Sequence, residues 1–430
     1  MNYSQTSINH ETSRRTFLAT GLAATAGLAL GQPRFAKAQK TDREKLPVAA
    51  IVTEYRKNSH ADVIITKILE GWNHDGGDGP ALKLAGLYTD QVAKNDLSRE
   101  LAKKHGVPIF DTIEQAITLG TGNVQVAGVL SIGEHGNYPY TPDTNQHMYP
   151  RRRFFDAIVA ALKKGDKIVP VFNDKHLAYD WDDAKHMYDT ARELKIPFLA
   201  GSSLPVSWRV PPLTLAMGCE LTEAIATGAG GLESYGFHAL ETLQCMVDRR
   251  KSGETGVVAV QAVEGDAIAE AETAGRWSRE LLQAAAAAGV DPTKPQKPGE
   301  IGSNAVFYLI EYRDGLKAAV AMRTKFTSEF AFACRLKSDP QVAATSVRLQ
   351  DGAPYMHFAE LLKAFEHLVH TGKPPYPVER TLLTTGVLDA LMHSLAAKGK
   401  RIETPHLAIR YTPLDWPFAV GSPPAAKPKS

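Results

Sequence analysis

Two short polar loops carry most of the reactive side chains that this sequence places close together. Gly133-Glu134-His135-Gly136-Asn137-Tyr138 follows an apolar run at 124–132, and Trp72-Asn73-His74-Asp75-Gly76-Gly77-Asp78 follows the first helical stretch. With His147, Asp174, His176 and His186 they supply enough nitrogen and oxygen donors for a divalent ion, or enough polar groups to line a substrate cleft. No H-x-x-x-H spacing occurs among them, so no metal site is assigned and the cleft reading is kept. Asn173-Asp174-Lys175-His176 follows a further apolar run, at a strand end of the kind where α/β proteins open their ligand crevices. An ammonium at Lys175 would stand in such a crevice as a cation able to stabilise a developing oxyanion. The plainer alternative is a solvated strand-end lysine, and His238, beside Leu240 and Leu243, reads by itself as a core histidine. Trp208-Arg209 is suited to stacking on a sugar face and pairing with a carboxylate, or to packing a domain junction.

The elements that must position these groups alternate between short apolar runs and helical periods over residues 46–204. Strands are expected at 48–52, 82–88, 108–110, 124–132, 167–172 and 196–200, with helices at 96–105, 113–119, 150–164 and 181–194 between them. Repeated β-α-β units of this length predict an α/β, doubly wound parallel sheet. From 205 to 412 the order becomes mixed α+β, with strands expected near 257–263, 305–312, 316–324 and 330–336 and a hairpin turn at Arg313-Asp314-Gly315. A helix at 358–370 places Phe358, Leu361, Leu362, Phe365, Leu368 and Val369 on one face, and Gly372 ends it. Residues 413–430, rich in Pro, Ala, Lys and Ser from Gly421, are expected to be a disordered tail.

The N-terminus belongs to targeting rather than to the fold. Ser13-Arg14-Arg15-Thr16-Phe17-Leu18 leads into a Gly- and Ala-rich stretch at 19–30, shorter than the ~18 apolar residues that argue for a membrane span. Ala36-Lys37-Ala38 supplies a cleavage site, so residues 1–38 form a twin-arginine export signal, the mature chain begins near Gln39 and its place is the periplasm. Removing them takes away Arg14, Arg15, Arg34, Lys37 and Glu11, so 49 basic and 47 acidic residues become 45 and 46. A net charge near −1 gives no case for nucleic acid or an anionic membrane surface as partner. Cys219, Cys245 and Cys334 are odd in number and lack metal-type spacing, so they read as buried hydrophobes.

Several segments carry a family resemblance. Ser98-Arg99-Glu100-Leu101-Ala102-Lys103-Lys104-His105-Gly106-Val107-Pro108 resembles the helix and third strand of the Gfo/Idh/MocA oxidoreductases. Asn173-Asp174-Lys175-His176 stands where that family carries Glu-Lys-Pro, and Glu233-Ser234-Tyr235-Gly236-Phe237-His238 is similar to its second-domain segment, in which an Asp precedes a His by one turn. Gly372-Lys373-Pro374-Pro375 onward to Thr404-Pro405 resembles its closing turn and terminal helices. The likeness implies an N-terminal Rossmann domain and a C-terminal open-faced α+β sheet domain, through which a homo-oligomer could form. It also implies Lys175 and His238 as the pair flanking the reacting sugar carbon, with Glu233 as the nearby carboxylate where Ser234 replaces the Asp. His176 replaces the proline, which puts a trans peptide after the lysine.

The dinucleotide loop departs from the family. Where G-x-G-x-x-G should follow the first strand stands Thr53-Glu54-Tyr55-Arg56-Lys57-Asn58-Ser59-His60, with no glycine. The residues left to hold NAD or NADP are Thr53, Tyr55, Arg56, Asn58, Asp90, Glu134 and His135, Asp90 favouring NAD through a ribose hydroxyl; Asp174, His176, Trp208 and Arg209 would meet the substrate. Two functions are therefore carried forward. One is an exported oxidoreductase acting on a sugar, polyol or glycoside hydroxyl with a tightly held NAD(P). The other is a cofactor-free descendant, carbohydrate-binding or lyase-like, using Lys175, Glu134, His135 and His238.

Overall fold

The computed structural model describes residues 43–288 and 299–426; the export signal read at 1–38 lies outside them. The apolar runs form a five-stranded sheet of β1 (Leu46–Val52), β2 (Leu82–Thr89), β3 (Gly128–Ile132), β4 (Val171–Asp174) and β5 (Phe198–Gly201). Its order is β2-β1-β3-β4-β5, parallel at every pairing. Val48 to Val52 are wholly buried because helices cover both faces, as a parallel sheet requires. The connecting helices are α1 (His60–Glu70), α2 (Ser98–His105), α3 (Ile113–Thr118), α4 (Arg151–Lys164) and α5 (Trp181–Glu193). Ser59, Thr112 and Asp180 cap α1, α3 and α5 by accepting backbone N–H bonds. The strand expected at 108–110 is reduced to a single bridge from Ile109 to Leu87, since Pro108 has no N–H to donate. That bridge extends the β2 edge, so the switch in strand order lies between β1 and β3, where such sheets open a crevice.

A second, eight-stranded mixed sheet has the order β13-β8-β9-β10-β7-β11-β12-β6. Its strands are β6 (Trp208–Val210), β7 (Leu221–Gly228), β8 (Val257–Glu264), β9 (Val306–Tyr312), β10 (Lys317–Met322), β11 (Phe330–Leu336), β12 (Asp339–Arg348) and β13 (Ile402–Glu403). The expected hairpin at Arg313-Asp314-Gly315 joins β9 to β10. Along β7 the two-residue period is plain: Ala224 and Ala226 face a core with α6 (Ser234–Val247), while Ile225 faces α7 (Asp266–Thr273) and α8 (Arg279–Ala287). No described helix is long and apolar enough to cross a membrane.

Two late helices return toward the first sheet. The helix expected at 358–370 is α9 (His357–Thr371), and its Leu361, Leu362, Phe365 and Leu368 are buried in one core with Phe172 and Leu130. Each such side chain contributes roughly 1.5–3 kcal/mol by leaving water, so α9 completes the first sheet's packing although the sequence places it after the second. A Cβ at Gly128 would stand 2.7 Å from Val369, which is why β3 starts with glycine. α10 (Val378–Ala396) is buried almost all round; its Thr381 donates to the Ala200 carbonyl, and its Val387 and Leu391 pack on the second sheet's core. The expectation of a disordered tail from 413 is corrected for the described residues. Trp416 packs on His367, Arg209 lies 4.1 Å over the Phe418 ring and Ala419 N–H donates to Val206, so aromatic burial holds the segment down to the body.

Candidate active site

Three neighbouring strands end in the same way. After β1, β3 and β4 the chain turns through Asn58 (φ 63°), His135 (φ 71°) and Lys175 (φ 68°), left-handed positions that cost a non-glycine residue roughly 1–2 kcal/mol. All three line one cleft of about 1130 Å³ at the carboxyl edge of the first sheet. The facing wall is the start of α6, with Glu233, Ser234, Tyr235 and His238, together with Phe330 of β11. Backbone held in costly conformations at one site marks a place where the surroundings over-determine geometry.

Glu134 is the electrostatic centre. Its Oε2 lies 2.5 Å from Arg151 Nη2 and its Oε1 3.1 Å from Lys175 Nζ. Burial raises its pKa most, yet Lys175 and Arg151 together hold it well below the usual carboxylate range. Lys175 Nζ also donates to the Ser234 carbonyl at 3.1 Å, which ties the first sheet to the start of α6. His238 is kept neutral, its pKa well below the ordinary value because of burial and then the charge of Lys175. His135 is pushed down to about 4 by burial and by His60. Behind them, His176 Nε2 stands 3.1 Å from both Arg151 Nη1 and Glu233 Oε1, so it accepts from the arginine in one tautomer and donates to the carboxylate in the other. Asp174, fully buried at the end of β4, binds His60 Nδ1 at 2.6 Å, and His60 lines the cleft. Asp174 Oδ1, His135 Nε2 and His238 Nδ1 are buried with no partner within the described chain.

The β1–β2 side of the same edge is filled by the chain's own groups. Asp90 Oδ1 accepts from Tyr88, and its Oδ2 accepts from Tyr138 and Arg153 at 2.7 and 2.6 Å. Gln91 exchanges two bonds with the backbone of Asn137, and Thr53 Oγ1 donates to the Glu134 carbonyl at 2.6 Å. The loop after β3 is thereby strapped across the end of β1 to the end of β2. Tyr55 is fully buried with its hydroxyl on Thr66, and Arg56 pairs with Glu54. At the N-terminus of α1, where dinucleotide sites seat a pyrophosphate, Asp62 Oδ2 accepts from Asn58 N–H at 2.8 Å. As they stand these residues are a poor fit for a pyrophosphate, which would meet the Glu54 and Asp62 carboxylates and find the Asn58, Ser59 and Asp62 N–H groups already taken.

Of the residues singled out in the sequence, Lys175, His238, Glu233, Glu134, His135, His147 and Asn58 converge on the cleft. Asp174 and His176 stand one layer behind it. Thr53, Tyr55, Arg56 and Asp90 lie in the strapped side and do not line it. The substrate role expected for Trp208 and Arg209 is corrected: both are buried, and Arg209 spends its donors on the Leu213 and Pro205 carbonyls. His186 is on the surface beside Asp156, and His74 stands 3.4 Å from Lys67 Nζ, so neither reaches the cleft. Among the described residues no three His, Cys, Asp or Glu side chains are arranged to hold a metal. Sequence reasoning missed His60 and Arg151; the pairing of His60 with a residue 114 positions away left no local signal.

No protein-family model matches the sequence, and no curated protein matches it. Solved structures do. GenD2 from gentamicin A biosynthesis, in complex with NAD, superposes with a TM-score of 0.54 at 14% identity, over 86% of this chain and 99% of that one. A putative myo-inositol dehydrogenase from Sinorhizobium meliloti gives 0.51 at 12% identity, over 84% and 99%. An apo scyllo-inositol dehydrogenase from Lactobacillus casei gives 0.50 at 11%, over 84% and 98%. At such identities the likeness is one of fold: a Rossmann-like parallel sheet joined to a mixed-sheet half, the two-domain arrangement of Gfo/Idh/MocA-type dehydrogenases.

Proposed function

We propose that this protein is exported to the periplasm and there acts on a hydroxyl of a sugar, polyol or glycoside by proton transfer in the Glu134–Lys175–His238 cleft. The observation that carries the reading is the cleft itself: an anionic Glu134 clamped by two cations, a neutral imidazole at His238, and aromatic rings at both rims. Tyr140 and Tyr235 are large aromatics left about half exposed, and both line the cleft, one from each sheet's side. Such rings suit the apolar faces of pyranose or cyclitol rings. Lys175, with its ammonium 3.1 Å from a carboxylate it can leave for a substrate oxygen, is placed to stabilise a developing alkoxide.

The likeness to dehydrogenases supports an oxidoreductase in which a retained NAD or NADP would carry hydride. That form requires the strap from Asp90 and Gln91 to Tyr138 and Asn137 to release. The filled strap favours a second form, a cofactor-free, lyase-like enzyme using the same side chains without hydride transfer. Denaturing purified folded protein and assaying the supernatant for NAD(P) separates them: a stoichiometric nucleotide supports the first, none the second. Failure of the protein to bind or turn over any of myo-inositol, glucose or p-nitrophenyl glucoside defeats both. Export is checked by replacing Arg14 and Arg15 with Lys, which should hold the precursor in the cytoplasm; continued processing would show that the pair is no signal.

A further inference from the structure

We propose that His60 is the proton-accepting group of the cleft and Asp174 its positioning residue. This rests on the reading that the cleft handles a hydroxylated substrate. His60 opens α1, directly after the capping Ser59, and its Nδ1 lies 2.6 Å from Asp174 Oδ2. Asp174 is the last residue of β4 and is wholly buried, so its carboxylate takes a hydrogen bond where it can; His60 Nδ1–H supplies it, and that tautomer leaves Nε2 as the acceptor. The ring is held edge-on by Phe358 and His135, with centroids 5.0 and 5.3 Å away. His60 itself lines the cleft.

The other cleft groups are poorly suited to the task. Glu134 is committed as an anion between Lys175 and Arg151. His135, at about 4, and His357, at about 3, are weak bases, and His238 is held neutral in the same way. His147 bonds to the Tyr138 carbonyl. Among the described imidazoles of the cleft, His60 is the one bonded to a carboxylate. The step is simple to balance: the hydroxyl proton of the substrate passes to His60 Nε2, the imidazolium so formed is paired with Asp174, and the alkoxide left behind faces Lys175. The proton returns to substrate or water when the reaction closes.

The test uses the mature chain with myo-inositol, glucose and p-nitrophenyl glucoside as probes. His60→Gln should lower kcat at least about 100-fold with little change in melting temperature, and imidazole should restore part of the activity of His60→Ala. Asp174→Asn should abolish the low-field imidazole proton signal and move the acid limb of the kcat profile to lower pH, because the imidazolium loses its carboxylate. Glu134, His135, Lys175, His238 and His357 line the same cleft as His60 and are unchanged between the two proteins, so the movement reports Asp174. A His60→Gln protein within about tenfold of the parent, or an unmoved limb in Asp174→Asn, overturns the proposal while leaving the cleft reading intact. A parent protein silent on every probe overturns the cleft reading and this proposal with it.

Discussion

The two halves of one sheet edge behave in opposite ways. On the β1–β2 side the loops satisfy each other: Asp90 takes three donors, Gln91 two backbone bonds, and Tyr55 is sealed beneath. On the β3–β4 side Glu134, Lys175, His135 and His238 crowd into a cleft, and several buried polar atoms find no partner among the described residues. Burying a polar atom without a partner costs roughly 1–3 kcal/mol, so the second side has polar atoms that gain from a polar ligand, whereas those of the first are already paired. The lesson is that two clusters equally polar in sequence can be a structural knot and a working surface, and the difference lies in whether their bonds close among themselves.

That contrast can be broken or sharpened by substitution. The largest effect is expected at Lys175: Lys175→Met should lower turnover about 10²–10³-fold while Glu134 remains paired with Arg151, and kcat measured beside a melting curve checks it. Glu134→Gln should instead cost about 3–5 kcal/mol in a denaturant titration, because it leaves two buried cations without their anion. Asp90→Ala, on the closed side, should cost stability without lowering affinity for NAD, since it loosens the strap rather than removing a ligand. A fall in NAD affinity at an unchanged melting temperature would instead restore Asp90 as a ribose ligand.

Acid sensitivity should follow the same division. The folded pKa of His135, about 4, lies below that of the unfolded chain, so as pH falls from about 6.5 the unfolded state gains a proton the folded state refuses, and stability is lost down to about 4. His135→Asn should flatten that limb by about 3 kcal/mol. Glu241, raised to about 7 by burial, has the opposite sign: stability is fully present below about 4.5 and is lost as pH rises toward 7, a loss that Glu241→Gln should remove. Chemical denaturation across pH 4–8 reads both, and limbs unmoved in the two variants would show that these groups do not control it. The smallest effect is expected at the α1 terminus, where Asp62→Ala should cost about 0.5–1 kcal/mol with activity unchanged.

Much of the framework was legible. The continuous apolar run of β1, the hairpin at Arg313-Asp314-Gly315 and the apolar face of α9 each follow from short-range patterning. β6, β7, β12 and β13 were missed. The run Leu-Thr-Glu-Ala-Ile-Ala-Thr-Gly has few strongly strand-forming residues, and it is made a strand by the neighbours β10 and β11 on its two sides. At the site, Lys175 was legible from its place after a strand and His238 from the family resemblance of the segment around it, and both reach the cleft. Arg209 was misread because a cation beside an aromatic looks the same in sequence whether it greets a ligand or, as here, packs on Phe418.

By itself the sequence determined the alternation of strands and helices and the glycine-free first loop, because each depends on residues close along the chain. Only the tertiary structure decided that Asp174 would hold His60, that Arg151 would clamp Glu134, and that α9 would return to the first core. Those contacts depend on the order β2-β1-β3-β4-β5 and on the left-handed turns at Asn58, His135 and Lys175, which bring distant loops to one edge. Side-chain convergence of this kind is a property of strand order and loop direction, and no local run of residues specifies either.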